Sequence, residues 1–170
     1  QSVAGVPVAP HAALLSADDA DSLDASLFPA ILKTARMGYD GKGGLGFGDV
    51  VDASLAFAEL GNRVCILEKK LSLAKEVSVI VVRSLTGETV TFPLFENVHR
   101  NGILATTVFP ARVTDEVSQK VRDYAARIAE TLQYKGVLCI EFFVLTDGSV
   151  SANEMAPRPH NSGHVTIEAA

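Results

Sequence analysis

The residues with the greatest chemical capacity are concentrated at positions 153–164. This stretch contains one glutamate, one arginine, two histidines, two asparagines and a serine, together with two prolines and a glycine. A segment that only filled a core would not carry so many polar groups, because each costs free energy when it is buried unpaired. Pro157 and Pro159 also exclude a regular helix or a central strand here. The stretch therefore predicts a rigid, polar, cationic loop that handles phosphate or carboxylate.

A second chemical feature is a pair of glutamates that a turn brings together. Asp147-Gly148 lies between two apolar runs, which predicts a β-hairpin with a two-residue type I′ turn. In that register Thr146 faces Ser149, and Glu141 lies opposite Glu154 on the same face. The Cβ atoms of such a cross-strand pair are roughly 4.5–5.5 Å apart.

Two like charges at this separation repel each other in the apolar surroundings of Glu141. A divalent cation would remove the conflict, and Mg²⁺ prefers hard oxygen ligands together with phosphate oxygens. Two other solutions stay open from the hairpin alone: one glutamate is protonated, or a partner such as Arg158 is buried beside the pair.

A glycine-rich segment at 38–46 is a candidate phosphate loop. Its backbone N–H groups can approach phosphates closely, and Lys33 and Lys42 supply positive charge. The spacing differs from that of the P-loop, and such a segment also serves as a flexible connector. Tyr39 and Asp40 favour the functional interpretation, because a linker has little use for an aromatic and an acidic side chain.

Two further segments are candidates for nucleotide contacts. The run 68–71 follows a predicted strand and could offer backbone groups to adenine, although a solvated charged turn would have the same composition. Glu76 is an acid suited to ribose hydroxyls. His99 lies in the polar run 96–102, which is compatible with a site wall or with an ordinary surface histidine.

These groups must be positioned by a strand-rich fold with a few covering helices, so the α+β class fits best. Asp49 is the predicted N-cap of one helix that Gly61 closes, and Thr114 caps a second helix that ends at Gly136. Alternating apolar positions predict strands at Ala30–Thr34, 63–68, 76–83, 89–94, Ile103–Val108, 137–145 and 149–155.

Composition limits the class of protein. A length of 170 residues and a hydrophobic content of 48% predict a folded protein with one sizeable core and room for two lobes. A net charge of -5 disfavours nucleic acid or an anionic membrane as the main partner. Cys65 and Cys139 lie in apolar runs and are expected to be buried thiols of a cytoplasmic protein. The ends, Gln1 and Ala170, are interpreted as those of a domain cut from a longer chain.

Taken together, these segments resemble ATP-grasp enzymes, and most closely the N5-carboxyaminoimidazole ribonucleotide synthetases. The resemblance covers nearly the whole chain in family order, and its most specific part is the stretch 156–164. The matching stretches are 31–34, 38–43, 76–80, 96–99, 102–104, 136–137, 141–143 and 153–166.

The resemblance implies an ATP-grasp fold of two lobes, each with an antiparallel or mixed sheet and covering helices. It places a linker or the start of the ATP-grasp region at 1–28, a small lid lobe at 29–71, and a larger lobe with the metal and bicarbonate site at 72–170. It implies ATP and Mg²⁺ as cofactors, with Mn²⁺ as a possible substitute. It also implies a homodimer when the protein is complete, and no nucleic-acid or membrane partner.

The reaction implied by the resemblance is ATP-dependent carboxylation. ATP phosphorylates bicarbonate to carboxyphosphate, which carboxylates the amino group of 5-aminoimidazole ribonucleotide. For the nucleotide and its metal, the resemblance implies that the ATP phosphates are bound by Lys33, Gly41, Lys42 and Gly43, adenine by Glu68, Lys69 and Leu71, ribose by Glu76, and Mg²⁺ by Glu141 and Glu154, with His99 and Asn153 also in the nucleotide site. Bicarbonate and carboxyphosphate would be bound by Arg158, His160 and Asn161. The aminoimidazole substrate would be bound by Tyr39 and Asp40, and its proton would be accepted by Asp40 or His160.

The sequence departs from the family pattern at two points. Ala156 stands where many ATP-grasp relatives have an asparagine ligand, and the family's preceding α/β domain and C-terminal segment have no counterpart among these residues. The alternatives are another ATP-grasp ligase, such as a formate-dependent purine enzyme or a biotin carboxylase, and a non-catalytic ATP-binding module of a larger purine enzyme.

Overall fold

The computed structural model describes residues 3–35, 44–48, 53–100 and 102–167. It contains two compact units. The small unit comprises Ala9–Leu71 with Asn101–Ile103, and the large unit comprises Gln1–Val8, Ser72–Arg100 and Leu104–Ala170. One four-stranded and one six-stranded sheet account for the strands, in agreement with the predicted α+β class. Among the described residues, no helix has the length and apolar character needed to cross a membrane.

The small unit is built on a four-stranded antiparallel sheet with the order β1-β4-β2-β3. Its interior forms because alternate residues of β2 and β4 point inward, where they meet Phe57 of α1. The elements are β1 (His11–Leu14), two 3₁₀ helices (Ala17–Ser22 and Ala25–Leu27), β2 (Ala30–Thr34), β3 (Gly44–Phe47), α1 (Ala53–Glu59) and β4 (Cys65–Lys69).

The small unit can be compared with the prediction at two places. Within 1–28, expected to be a linker or the start of the ATP-grasp region, β1 pairs with β4. The predicted glycine loop is shorter at its C-terminal end, because Gly44–Phe47 is a strand that pairs with β2. The predicted N-cap, Asp49, lies outside the described residues, which show this helix from Ala53 onward.

The large unit contains a six-stranded sheet with the order β10-β9-β5-β7-β8, and β6 pairs with β5. Short 3₁₀ segments at Val3–Gly5 and Asn161–Ile167 complete it. Its other elements are β5 (Leu73–Arg83), β6 (Thr89–Thr91), β7 (Phe95–Arg100), β8 (Ile103–Val108), α2 (Asp115–Thr131), β9 (Gly136–Leu145) and β10 (Val150–Ala156).

The two faces of the large sheet have different compositions. Alternate residues of β5 and β9, including Val79, Ile140 and Phe142, pack under α2 against Val121 and Ala125. We call this the core face. The residues between them point to the opposite side, as the two-residue period of a strand requires. We call that side the polar face, because it carries charged and hydroxyl groups beside a small apolar cluster.

Helix α2 begins at its predicted cap and ends earlier than predicted. The Val117 amide donates a hydrogen bond of 3.3 Å to Thr114 Oγ1. The helix ends at Thr131 and not at Gly136. Gln133 adopts a left-handed φ of 50° that breaks the helix first, and Gly136 instead begins β9.

The β9–β10 hairpin reaches the predicted glutamate pair by a different route. The Leu145 amide donates to the Ser149 carbonyl at 2.9 Å, so three residues form the turn and the predicted two-residue type I′ turn is wrong. A β-bulge between Ala152 and Glu154 then shifts the register by one residue. Glu154 consequently pairs with Glu141, which confirms the predicted pairing.

The longer turn depends on Gly148, whose φ is 82°. We expect Gly148→Ala to destabilise the 170-residue chain by about 1 kcal/mol, because a Cβ costs that much in the left-handed region. The added Cβ would meet no heavy atom within 4 Å, so conformational strain is the only cost. Gly148→Asn should lose less, and urea unfolding measures both. Unchanged stability of Gly148→Ala would contradict the left-handed turn.

Glu96 of β7 is a buried carboxylate on the core face that is fully paired. Lys75 Nζ lies 2.9 Å from Glu96 Oε1, and Arg112 Nη2 donates to the same oxygen at 2.7 Å. The backbone amide of Arg112 donates to Glu96 Oε2 at 3.1 Å. Hydrogen bonding to Arg112 and Lys75 lowers the pKa of Glu96 to about 2 against the opposing effect of burial.

This pairing predicts an acid-labile contribution to stability. Because the pKa of Glu96 is lowered on folding from 4.5 to about 2, the contribution is present above pH 4.5 and is lost as the pH falls toward 2. Glu96→Gln should cost about 1–2 kcal/mol at neutral pH, a modest value because Arg112 is largely exposed to water. It should also flatten this part of the pH profile of urea unfolding. The exposed Glu88→Gln is the control, and an unaltered profile in Glu96→Gln would contradict the assignment.

Candidate functional site

The polar face of the large sheet brings ionisable side chains from four neighbouring strands together. Glu76 on β5 pairs with Asn97 on β7. Two residues further along β5, Ser78 pairs with Glu141 on β9, which pairs in turn with Glu154 on β10. The face is therefore lined by a continuous row of polar residues on elements held rigidly by the sheet.

The two central carboxylates are in electrostatic conflict. The Glu141 side chain is 13% exposed, whereas Glu154 is exposed. Burial raises the pKa of Glu141, and the charges of Glu154 and Glu76 raise it further, against the opposing influence of His99. The charges of Glu154 and Glu76 thus add to the cost of burying the Glu141 charge, a condition that favours a bound cation or proton.

The donor set suits a magnesium ion. Two glutamates provide hard oxygen ligands, and Mg²⁺ takes its remaining ligands from water and substrate phosphates. The described residues contain no group of three or more His, Cys, Asp or Glu side chains arranged to hold a metal alone.

His99 and Glu76 lie next to the carboxylate pair. His99 Nδ1 is 2.9 Å from Glu76 Oε2, and both side chains are about one-quarter exposed. The atoms are at ion-pair distance but lack hydrogen-bond alignment, since Nδ1 has no hydrogen-bond partner among the described residues. Both residues predicted for the nucleotide site are thus present on the polar face.

The loop after β10 places one imidazole, that of His160, beside Glu141. His160 Nε2 lies 3.5 Å from Glu141 Oε1. Burial lowers the pKa of His160, and the charge of Arg158 lowers it further. Arg158 is exposed, and its Nη1 donates to the Pro159 carbonyl at 3.0 Å. Asn161 is exposed and begins the following 3₁₀ helix, while Asn153 is the extra residue of the bulge.

The predictions missed a set of buried polar groups beneath this loop. Ser78 and Ser162 are fully buried and Asn97 is 4% exposed. Asn97 Nδ2 donates to Ser78 Oγ at 3.0 Å, and Ser78 Oγ donates to Ser162 Oγ at 2.9 Å. A signal was available, because Ser78 is two residues from Glu76 and therefore on the same strand face.

Cys139 lies beside this network, and its thiol is unreactive because it is protonated and buried. Its Sγ is 3.6 Å from Ser162 Oγ, and burial raises the pKa of its thiol to about 11. Both cysteines are buried and free, as predicted.

The small unit holds the residues predicted for ATP phosphates and adenine. Lys33 Nζ donates to Glu68 Oε2 at 2.6 Å, with 40% and 27% of the side chains exposed. Lys69 Nζ donates to the Ser26 carbonyl at 2.9 Å, and Leu71 is half-buried. Five predicted site residues lie outside the described residues: Tyr39, Asp40, Gly41, Lys42 and Gly43.

Comparison with known proteins agrees with this geometry. The chain is 44% identical over 166 residues to the N5-carboxyaminoimidazole ribonucleotide synthase of Bacillus subtilis, covering 97% of the chain and 44% of that protein. A crystal structure of the ADP complex of N5-carboxyaminoimidazole ribonucleotide synthetase matches 97% of the chain and 44% of its own, with a TM-score of 0.90 and 44% identity.

A more distant structure has a bound substrate. It is the Aspergillus clavatus N5-carboxyaminoimidazole synthase in complex with ADP and 5-aminoimidazole ribonucleotide, at 30% identity and a TM-score of 0.85, covering 96% of the chain and 43% of its own. The chain thus spans less than half the length of the relatives it matches. The family model of the ATP-grasp domain matches residues 1–170. With its two antiparallel sheets and its carboxylate pair, the chain belongs to the ATP-grasp family.

Proposed function

We propose that the chain is the ATP-grasp portion of an enzyme that carboxylates 5-aminoimidazole ribonucleotide with ATP and bicarbonate. The observation that carries the proposal is the pairing of Glu141 with Glu154 next to His160. The similarity to N5-carboxyaminoimidazole ribonucleotide synthases supports it. The products would be N5-carboxyaminoimidazole ribonucleotide, ADP and phosphate.

Glu141 and Glu154 would hold Mg²⁺. The ion would neutralise charge on the nucleotide phosphates, which is the main requirement of phosphoryl transfer. The strands that carry the two glutamates fix their separation, so the ligands need no rearrangement before the ion binds. Asn153, the extra residue of the bulge, would support Glu154 from the neighbouring position.

The loop after β10 would bind bicarbonate and carboxyphosphate. Arg158 offers a planar guanidinium that matches a carboxylate or phosphate edge with two parallel hydrogen bonds. Its side chain is exposed and donates a hydrogen bond to the Pro159 carbonyl, so it would be able to turn toward an anion. His160 and Asn161 would add uncharged donors beside it.

The small unit carries several of the residues proposed for the nucleotide. Lys33 now pairs with Glu68, so binding of a phosphate would exchange one anionic partner for another at little electrostatic cost. Glu68, Lys69 and Leu71 would frame adenine, and Glu76 would bind ribose, with His99 beside it. The assignments of Tyr39 and Asp40 to the aminoimidazole, and of Gly41, Lys42 and Gly43 to the phosphates, rest on the sequence alone.

The reaction is tested by ADP release from the complete enzyme, with bicarbonate and 5-aminoimidazole ribonucleotide omitted in turn. We expect ADP release to require bicarbonate and to be stimulated by the ribonucleotide. Stimulation by formate or biotin in their place would identify a different ATP-grasp ligase. Binding of ATP without substrate-dependent hydrolysis would identify a non-catalytic module.

Glu154→Gln tests the metal role. The change keeps the size of the side chain but removes a charged ligand, so we expect the ADP-release rate of the complete enzyme to fall by roughly a hundredfold or more. Additional Mg²⁺ should restore part of the loss. The exposed Glu130→Gln on α2 is the matched control. A near-normal rate in Glu154→Gln at low Mg²⁺ would refute the assignment.

Lys33→Met tests the phosphate role. Loss of a charge-assisted hydrogen bond should raise the KM for ATP by roughly tenfold, because such bonds are worth about 1.5–3 kcal/mol. The KM for bicarbonate should change little. Lys135→Met, an exposed site on the large unit, is the control for loss of positive charge. An unaltered KM for ATP in Lys33→Met would remove Lys33 from the nucleotide site.

A further inference from the structure

A chain of hydrogen bonds runs through the polar face and ends at His160. Thr107 Oγ1 donates to Asn97 Oδ1 at 3.3 Å, which orients the amide so that Nδ2 donates to Ser78 Oγ at 3.0 Å. Ser78 Oγ donates in turn to Ser162 Oγ at 2.9 Å. His160 Nδ1 lies 3.0 Å from Ser162 Oγ.

The direction of this chain follows from the number of protons available. A hydroxyl has one proton, and that of Ser78 is used toward Ser162. The proton of Ser162 is therefore left for the next neighbour. Cys139 Sγ, at 3.6 Å, is a weak acceptor, whereas an imidazole nitrogen at 3.0 Å is a strong one. The series of hydrogen bonds thus leaves the Ser162 hydroxyl to donate to His160 Nδ1.

A second donor reaches the same nitrogen from the backbone. The Ser162 amide donates to His160 Nδ1 at 3.3 Å. A backbone N–H can only donate, so Nδ1 must accept and cannot itself carry a proton in this arrangement. The proton of the neutral ring then lies on Nε2, the nitrogen that is 3.5 Å from Glu141 Oε1.

We propose that Ser162, supported by Ser78 and Asn97, is a positioning residue that holds His160 with Nδ1 unprotonated and Nε2–H directed to the carboxylate side of the polar face. The catalytic meaning of this arrangement rests on the proposed function: His160 donates a hydrogen bond to bicarbonate or carboxyphosphate oxygens. Its Nε2 has no free lone pair for the proton of the substrate amine.

Gly163 allows the 3₁₀ segment to approach the sheet closely enough for this contact. A Cβ on residue 163 would lie 2.5 Å from Ile80 Cδ1, in the small apolar cluster of the polar face. The missing side chain thus lets the adjacent Ser162 hydroxyl reach Ser78 at hydrogen-bond distance.

The location of the proton is measurable without turnover. In the complete enzyme labelled with ¹⁵N-histidine, two-bond ¹H–¹⁵N correlation spectra at about pH 8, where an unperturbed histidine is neutral, report which ring nitrogen is protonated. His160→Gln identifies the resonances of His160. We expect a protonated Nε2 and an unprotonated, hydrogen-bonded Nδ1. Protonation at Nδ1, or rapid averaging between the two tautomers, would overturn the proposal whatever the activity of the enzyme.

Ser162→Ala tests the positioning role. We expect the Nδ1 resonance of His160 to shift, kcat/KM for bicarbonate to fall by roughly tenfold, the usual effect of losing one buried hydrogen bond, and the KM for ATP to stay constant. Ser151→Ala is the matched control, because Ser151 is a buried serine of the same unit whose hydroxyl bonds the Pro7 carbonyl at 3.4 Å. Unchanged Nδ1 resonance and unchanged kinetics in Ser162→Ala would refute the role.

Ser78→Ala provides a second variant if Ser162→Ala does not fold. It removes the donor to Ser162 Oγ but leaves the backbone hydrogen bond to Nδ1. The shift of the Nδ1 resonance and the fall in kcat/KM for bicarbonate should therefore both be smaller than in Ser162→Ala. A shift of the Nδ1 resonance in an enzyme without bicarbonate-dependent ADP release would support the positioning role and reject the proposed reaction. Normal bicarbonate-dependent ADP release, with no shift of the Nδ1 resonance in either variant, would support the proposed reaction and reject the positioning role.

Discussion

The facing carboxylates Glu141 and Glu154 are the constraint around which the large unit is organised. β9 is paired on both sides, with β5 and with β10, so the backbone cannot move to relieve their repulsion. Burial of Glu141 increases the cost of its charge, because fewer water molecules solvate it. A bound proton or cation would relieve this conflict.

A second buried glutamate of the same sheet shows why the conflict is specific to the polar face. Glu96 lies on the core face with Lys75 and Arg112 beside it, and its pKa is lowered to about 2. Burial raises the pKa of Glu141, and the charges of Glu154 and Glu76 raise it further. Burial acts in the same direction on both, so the neighbouring charges decide the sign. On the core face the charge of Glu96 is neutralised by Lys75 and Arg112, whereas on the polar face the charge of Glu141 is left for a ligand to neutralise.

The loop after β10 is held in place by buried residues that follow its exposed part. Arg158 and Asn161 are exposed, but Ser162 and Gly163 are buried against the sheet. The buried hydroxyl of Ser162 connects the loop to β5 through Ser78, and His160 Nδ1 lies 3.0 Å from that hydroxyl. The imidazole is therefore supported by the sheet, and such support keeps a donor at a fixed position.

Local rules were sufficient for much of this protein. The apolar alternation located most of the strands and Thr114 marked the start of α2, because these signals depend on neighbours in the sequence. The density of polar residues at 153–164 indicated the polar loop that follows β10. Tertiary structure decided the rest. The Asp147-Gly148 turn has three residues and a bulge follows it, and these two departures compensate so that Glu141 still faces Glu154. Pairing across three strands, and not the turn alone, determines that register. The network of Asn97, Ser78 and Ser162 joins residues 84 positions apart at its last step, and no local pattern reports which distant hydroxyl a serine will meet.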